Sequence, residues 1–235
     1  MLIEPPALLE YEHGGCRISC LVTGEEWKQN TYIVTHQSSS NTIVFDPGDN
    51  ADFIIQQIED AKGKCAHILL THAHHDHVGA ASQLSEHYNV ACKLHKLDVR
   101  LLVHAPMYAL SFANKKILAV SRFQTFEELC LSDEKPTIKA LHTPGHTKGS
   151  VCYIMDGFVF TGDTLLYKRV GRTDLPGSSS GDLSESVEKI LSALSDETIM
   201  FSGHGKPWTV GEAKQWWQEL RGKAPVHTSF IDELS

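Results

Sequence analysis

The sequence predicts an α/β fold in which a β-rich first third is followed by alternating helices and strands. Segments 17–23, 30–36 and 41–48 are rich in β-branched and apolar residues and are separated by polar breaks, which is typical of strands. Segment 51–61 instead places its apolar residues at the spacing of one helix face. Because both patterns alternate along the chain, we expect a layered α/β domain.

The alternation continues through the middle of the chain. Segments 67–72 and 91–95 have the composition of short buried strands, and segment 78–88 between them has helical spacing. Segment 96–125 is mixed in composition and is expected to be helical. The first half is therefore predicted to run strand, helix, strand, helix, strand.

The second half returns to β-type composition. Segment 182–194 is predicted to be a capped amphipathic helix, and segment 212–220 a closing helix that docks on the domain. The strands of this half are predicted at 137–146, 151–156, 158–163 and 198–205.

Composition excludes several classes of function. The chain has 235 residues and a formal net charge of −8, which argues against general affinity for nucleic acid. We recognise no secretory signal, and no apolar run approaches the ~18–20 residues that cross a bilayer. The six cysteines lack C-x-x-C spacing, so reduced, mostly buried thiols and a cytoplasmic location without membrane contact are expected.

Histidine and aspartate concentrate in loops that follow strand-like runs. The stretch "THAHHDHVG", residues 71–79, holds four of the 14 histidines. Three further motifs share this context: "TPGH", "GD" and "SGHG". Since the ends of neighbouring strands converge in layered α/β folds, these side chains are expected to meet. The candidate metal donors are His72, His74, Asp76, His77, His146, Asp163 and His204.

The number and type of donors predict two metal ions. Imidazole and carboxylate suit zinc, iron or manganese better than thiol-bound copper. Seven donors are too many for one tetrahedral site, but two ions sharing a carboxylate and a water use all of them. Two-metal sites of this kind commonly serve hydrolysis.

The same motifs resemble the metallo-β-lactamase fold superfamily. Within it, "FDPG" (45–48), "TPGHTKGS" (143–150) and "GRTDLPG" (171–177) are similar to the glyoxalase II-like hydrolases, over about residues 15–205. The resemblance implies an αββα sandwich of two mixed β-sheets flanked by helices. The hydrolase domain is expected over 1–208, with a short C-terminal helical tail over 209–235.

The resemblance also implies two ligand sets that share one bridging carboxylate. The first set is His72, His74 and His146, the second is Asp76, His77 and His204, and Asp163 bridges them. The implied cofactors are two divalent ions, zinc first, with iron or manganese as alternatives. The implied reaction is hydrolysis of a small-molecule acyl thioester by a metal-bridging hydroxide that Asp76 helps to orient. Asp46 is expected to hydrogen-bond a ligand and not to bind metal.

Two alternatives remain open at this point. A mononuclear iron persulfide dioxygenase would use His72, His146 and Asp163, and it too carries a G-R-T-D segment. A non-catalytic metal-binding module would have no need for bridging ligands. The β-lactamases of the superfamily fit less well, because they generally lack an aspartate at the position of Asp163.

The substrate contacts are predicted only from position. Tyr167, Lys168 and Arg172 lie close after Asp163 and are candidate substrate-binding residues. An ion pair between Arg172 and Asp174 that holds the loop is an equal alternative. His75 occupies a variable position of the histidine motif and is expected to face outward. The acyl group, the thiol carrier and the oligomeric state are left open.

Overall fold

Two mixed β-sheets lie face to face in the structure, a computed structural model that describes residues 8–24, 27–131 and 136–223. Helices cover the outer face of each sheet, so the chain forms four layers. The predicted αββα sandwich is confirmed.

The first sheet contains seven strands in chain order. Its first four strands pair antiparallel and its last four pair parallel. Parallel neighbours need crossover connections, which the helices provide. The strands are β1 (Leu8–His13), β2 (Cys16–Thr23), β3 (Gln29–His36), β4 (Asn41–Phe45), β5 (Lys64–Leu69), β6 (Cys92–His95) and β7 (Phe123–Phe126). The crossover helices are α1 (Ala51–Asp60), α2 (His75–Val78), α3 (Ala81–Tyr88) and α4 (Val99–Ala113), the last preceded by a 3₁₀ turn at Lys96–Asp98.

The second sheet contains six strands in the order β15-β14-β11-β10-β9-β8. Two long helices, α5 (Ser180–Ala193) and α6 (Val210–Lys223), belong to this half. Its strands are β8 (Cys130–Leu131), β9 (Ile138–His142), β10 (Val151–Met155), β11 (Phe158–Gly162), β14 (Ile199–Ser202) and β15 (Trp208–Thr209). A separate hairpin is formed by β12 (Leu165–Leu166) and β13 (Arg169–Val170).

Three apolar clusters hold the layers together. Between the sheets, the rings of Phe45 and Phe160 stack with centroids 4.0 Å apart. Outside the first sheet, Ile54 and Ile58 of α1 are fully buried among residues of that sheet and of α3. Outside the second sheet, a third cluster contains side chains of α5 and α6, including the buried Trp217. Burial of such apolar area supplies the main driving force for folding.

Most predicted elements are present, and the differences have local causes. The helix predicted over 78–88 begins only at Ala81, and residue 78 ends the separate short helix α2, because the turn at Gly79 packs tightly on the loop after β4. A Cβ at Gly79 would overlap the carbonyl oxygen of Gly48, and Ala80 N donates to Pro47 O at 2.9 Å. Segment 96–125 ends in the unpredicted strand β7, which has only four residues.

Three further expectations concern the chain as a whole. Five of the six cysteines are free and buried, whereas Cys130 is free and exposed. No helix in the described ranges has the length and apolar character needed to span a bilayer. Of the predicted tail, residues 209–223 form the end of β15 and α6, and residues 224–235 lie outside the described residues.

Candidate metal centre

The seven predicted donors all lie shortly after strands. Four of them follow β5, with His72 and His74 in a loop and Asp76 and His77 in the short helix α2, and one each follows β9, β11 and β14. Because β11 and β14 are parallel neighbours, Asp163 and His204 leave the second sheet on the same side. The structure brings all seven side chains together between the two sheets' loop ends.

Three histidines form the first donor group. The ligand atoms of His72, His74 and His146 lie within 4.8 Å of one another. His74 Nδ1 is 2.9 Å from His146 Nε2, and the ring of His72 lies 4.8 Å from that of His146. Zinc–nitrogen bonds are about 2.0–2.1 Å long, so three nitrogens at this spacing can bind one ion.

A carboxylate and two histidines form the second donor group. Asp76, His77 and His204 also offer ligand atoms within 4.8 Å of one another. Asp76 Oδ2 lies 3.6 Å from His77 Nε2 and 3.4 Å from His204 Nε2. This group differs from the first in containing a formal negative charge.

Asp163 lies between the two donor groups. Its Oδ1 is 3.5 Å from His77 Nε2, and its Oδ2 is 3.7 Å from His146 Nε2 and 3.5 Å from His204 Nε2. The carboxylate therefore approaches histidines of both groups, as a bridging ligand must.

Several buried donor atoms of the cluster are left without a hydrogen bond in the described part of the chain. His72 Nε2, His77 Nε2 and Asp163 Oδ1 are buried and lack a hydrogen-bond partner among the described residues. Leaving such groups unpaired costs about 1–3 kcal/mol each, and more when charged. The donor set and these unpaired atoms both fit metal ions at this position.

A third grouping, Asp46 with His72 and His77, meets the same spacing but does not fit a metal. Asp46 Oδ1 accepts from Thr71 N at 2.7 Å, and Oδ2 accepts from Thr71 Oγ1 at 2.5 Å. Asp46 Oδ2 also accepts from His77 Nδ1 at 3.0 Å. Asp46 is thus a hydrogen-bond partner of a donor histidine, as predicted.

Four donor histidines have their remaining ring nitrogen anchored. An N–H donated from Nδ1 leaves the Nε2 lone pair available for a ligand bond and fixes the ring orientation. The partners are Thr71 Oγ1 for His72 (3.0 Å), Asp46 Oδ2 for His77 (3.0 Å), Arg172 O for His146 (2.9 Å) and Trp27 O for His204 (2.9 Å).

Asp98 is a buried supporting residue that the sequence analysis missed. Its Oδ2 accepts from Ala73 N at 3.0 Å and from Thr147 Oγ1 at 2.8 Å, and its Oδ1 accepts from Gly149 N at 2.7 Å. These bonds join the histidine loop to the loop of His146. Burial raises the pKa of Asp98, although the hydrogen bonds oppose that shift. The only sequence signal was an aspartate before a helix, which reads as an ordinary cap.

Electrostatics differ between the two donor groups. Burial, followed by repulsion from His146, lowers the pKa of His74 to about 3. Burial also lowers the pKa of His204, but the carboxylates of Asp163 and Asp76 outweigh it and raise the value to about 11. The pKa of Asp163 is well below its ordinary value, because His204 and His77 outweigh its burial. The histidine pKa values are thus lowered in the first donor group and raised in the second.

Two motif glycines, Gly171 and Gly203, pack closely against Asp163. A Cβ at Gly203 would overlap Asp163 Oδ1 and would lie 2.6 Å from His77 Cε1. A Cβ at Gly171 would overlap the carbonyl oxygen of Asp163. The glycines of "SGHG" and "GRTDLPG" are thus required by close packing against Asp163.

The donor groups open into a cavity of about 1200 Å³. Arg172 lines this cavity, but Tyr167 and Lys168 are not among its lining residues. The ring of Tyr167 packs on Trp208, with centroids 5.4 Å apart. Tyr167 and Lys168 form the turn between β12 and β13.

Arg172 is held by its neighbour, as one of the two interpretations predicted. Its Nε and one terminal nitrogen each donate to the Asp174 carboxylate at 2.6 Å. The expectation that His75 faces outward is wrong: its side chain is only 11% exposed and lines the cavity. Its ring contacts Trp27 and Phe112, which a motif pattern alone does not reveal.

The fold and the donor groups define a metal-binding α/β protein, and sequence comparison identifies its family. The profile described as "Metallo-beta-lactamase superfamily" matches residues 24–204. The chain belongs to this superfamily. A hydroxyacylglutathione hydrolase, GloC of Haemophilus influenzae, is 34% identical over 194 residues, which cover 80% of this chain and 91% of the relative.

Solved structures agree with this assignment. A crystal structure of TTHA1623 in a di-iron-bound form superposes with a TM-score of 0.75 at 33% identity, covering 83% of this chain and 96% of that one. The BLEG-1 B3 metallo-beta-lactamase superposes with a TM-score of 0.75 at 28% identity, covering 91% of this chain and 99% of that one.

Proposed function

We propose that this protein is a metal-dependent hydrolase that cleaves the thioester of a small-molecule acyl thiol. The observation that carries the proposal is the position of Asp163, within 3.7 Å of histidines in both donor groups. Two divalent ions are proposed, zinc first and iron or manganese as alternatives. Neither nucleic acid nor membrane is a proposed partner, and the proposed location is cytoplasmic.

The proposed chemistry divides between the ions and the chain. When bound, a pair of divalent ions lowers the pKa of a coordinated water and polarises a carbonyl group. Asp76 lies at the cavity surface, where its carboxylate can accept a hydrogen bond from the attacking water and orient it. A leaving thiolate has a pKa near 8.5, so no strong general acid is required.

The relatives support hydrolysis without defining the substrate. GloC is named as a hydroxyacylglutathione hydrolase, and the region it shares with this chain covers 80% of this chain. TTHA1623 was crystallised with two irons, which supports a binuclear centre and keeps iron among the candidate metals.

The dioxygenase alternative is less well supported by the site. It would use His72, His146 and Asp163 alone. The second donor group would then have no role, although Asp76, His77 and His204 lie within ligand distance of one another.

The proposal is tested on full-length protein purified without added metal. We expect elemental analysis to give about two equivalents per chain and an acyl thioester to be hydrolysed with release of free thiol. Oxygen uptake with glutathione persulfide and hydrolysis of nitrocefin are measured in parallel. One iron per chain with persulfide-driven oxygen uptake and intact thioesters would make the protein a dioxygenase. Nitrocefin turnover without thioester turnover would make it a lactamase.

A further inference from the structure

The cavity beside the donor groups is rich in basic side chains that have no carboxylate partner among the described residues, although the chain as a whole is acidic. Five basic side chains line it besides Arg172, and within the described residues none of them forms a salt bridge. These are Lys28, Arg100, Lys148, Arg169 and Lys206. The formal net charge of the chain is −8, so this concentration of positive charge is local.

The acidic residues of the cavity do not balance these cations. Asp174 is paired with Arg172, and Asp98 is buried with both oxygens accepting hydrogen bonds. Asp76 and Asp163 belong to the donor groups, where bound ions would neutralise them. An anionic ligand would therefore find unmatched positive charge around the site.

The cations lie close to the donors along the chain. Lys148 and Lys206 each follow a donor histidine by two positions, and Lys28 follows Trp27, whose carbonyl accepts from His204. Arg169 pairs across the hairpin with Leu166, just after Asp163. A ligand whose reactive carbonyl reached the metals would place its neighbouring groups among these side chains.

Part of the cavity lining is apolar and comes mainly from α4 and the turn before it, although α4 also supplies Arg100 and His104. Leu97, Leu101, Tyr108 and Phe112 are spaced so that they share one side of this helix and the turn before it, and all four line the cavity. The rings of Tyr108 and Phe112 stack at 6.0 Å, and Phe112 lies 6.3 Å from His75. Trp27 continues the row, 5.8 Å from His75.

Large apolar side chains of this row are exposed, although folded proteins usually bury such surface. Phe112 is 54% exposed and Leu97 is 49% exposed, and both border the cavity. Single exposed apolar residues need no explanation, but a continuous row at the wall of a site favours an apolar ligand group.

We propose that the substrate is an amphiphilic, anionic thioester of the acyl-coenzyme A type. Its apolar acyl chain lies along the α4 wall, and the phosphates of its pantetheine carrier lie among the lysines and arginines. The proposal rests on the proposed thioesterase function, and it narrows the thiol carrier to one that bears phosphate. Specificity would then come from contacts to both ends of the substrate.

The charge half of the proposal is tested with one acyl group on three thiols. We expect kcat/KM for octanoyl-CoA to exceed that for octanoyl-pantetheine, which lacks phosphates, and that for octanoyl-glutathione by at least about tenfold. The advantage should shrink as salt is raised from 50 to 500 mM, since exposed charges are screened. Arg169→Gln with Lys206→Gln should reduce the advantage, whereas Lys64→Gln, an exposed lysine outside the cavity, should not.

The apolar half is tested by chain length. Phe112→Ala is expected to lower kcat/KM about five- to tenfold for octanoyl-CoA, while acetyl-CoA is affected less than twofold. The matched control is Met107→Ala, which removes an equally exposed apolar side chain of the same helix that does not line the cavity.

The outcomes separate this proposal from the function on which it rests. If no thioester is hydrolysed, the proposed function fails. If octanoyl-pantetheine or octanoyl-glutathione is cleaved as well as octanoyl-CoA, thioesterase function stands and the phosphate-bearing carrier is wrong. If an acyl-carrier protein is cleaved while free octanoyl-CoA is not, the ligand is a protein and the small-molecule proposal is overturned.

Discussion

The two halves of the chain supply the metal centre in different ways. The N-terminal half supplies His72, His74, Asp76 and His77 from one continuous segment, the loop after β5 and the start of α2, whereas the C-terminal half supplies single donors after three different strands. The N-terminal loop is held by the buried carboxylates of Asp46 and Asp98. The C-terminal histidines are each held by one backbone carbonyl.

The two halves therefore position their donors by different means, the N-terminal half through local sequence and the C-terminal half through tertiary structure. In the N-terminal loop, sequence spacing sets which donors are close, and two buried acids fix the loop as a unit. In the C-terminal half, the donors are brought together only by strand pairing and sheet packing. We can therefore choose substitutions that affect the N-terminal donors, the C-terminal donors, or Asp163, which contacts both donor groups.

The largest effect is expected where the halves meet. Asp163→Asn removes the charge of a carboxylate that approaches the Nε2 atoms of histidines in both donor groups. We expect kcat/KM for a thioester to fall at least ~100-fold, the scale of losing a key electrostatic element. Metal content measured on the same samples should fall at both positions. The control is Asp156→Asn, at an exposed turn. If Asp163→Asn kept two ions and full activity, a bridging role of Asp163 would be contradicted.

A smaller effect is expected from the acid that orients the N-terminal loop. Asp46→Asn keeps the size of the side chain but weakens the bonds to Thr71 and His77. Supporting hydrogen bonds of this kind are worth about 10- to 100-fold in metal affinity. Competition with a chelator measures the change, with the exposed Asp52→Asn as the control. An unchanged affinity would mean that the loop holds its shape without Asp46.

Asp98→Asn should affect stability more than metal affinity. The amide cannot accept all three bonds that Asp98 now accepts, and one buried donor would face its NH₂ group. We expect the free energy of unfolding of the metal-free protein to fall by about 1–3 kcal/mol. Urea denaturation measures it. If Asp98→Asn lost more metal affinity than Asp46→Asn, Asp98 and not Asp46 would be the more important support of the metal ligands.

The smallest effect is expected in the C-terminal loop of Arg172. Its guanidinium is already engaged by Asp174, and an exposed ion pair contributes about 0–1 kcal/mol. Arg172→Ala should therefore change kcat/KM by less than about threefold, and Asp174→Ala should do the same. Steady-state assays of both single variants and of the double variant measure the coupling energy between Arg172 and Asp174. A tenfold loss in Arg172→Ala alone would identify Arg172 as a substrate contact.

The comparison also explains what could be predicted from sequence. The loop of His72–His77 was recognisable because four donors lie within one short stretch, and the layered fold followed from clear strand and helix periodicity. The two-residue strands and the four-residue β7 were missed, since they are too short to show alternation, and the six-residue β1 was also missed. The role of Asp98 depends on contacts with residues 25, 49 and 51 positions away, which no local pattern records. The inward position of His75 likewise depends on contacts with Trp27 and Phe112, which are distant in sequence.

The contact between His204 and Trp27 joins residues 177 positions apart, and it has a consequence for synthesis of the protein. The second donor group cannot form until His204 has left the ribosome, although His77 emerges much earlier. At a synthesis rate of about 5–20 residues per second, this interval is roughly 6 to 25 s. During that time the nascent chain carries a dense histidine loop without its partners. The finished site is thus assembled after translation of nearly the whole domain, and a prematurely terminated chain would lack the second donor group.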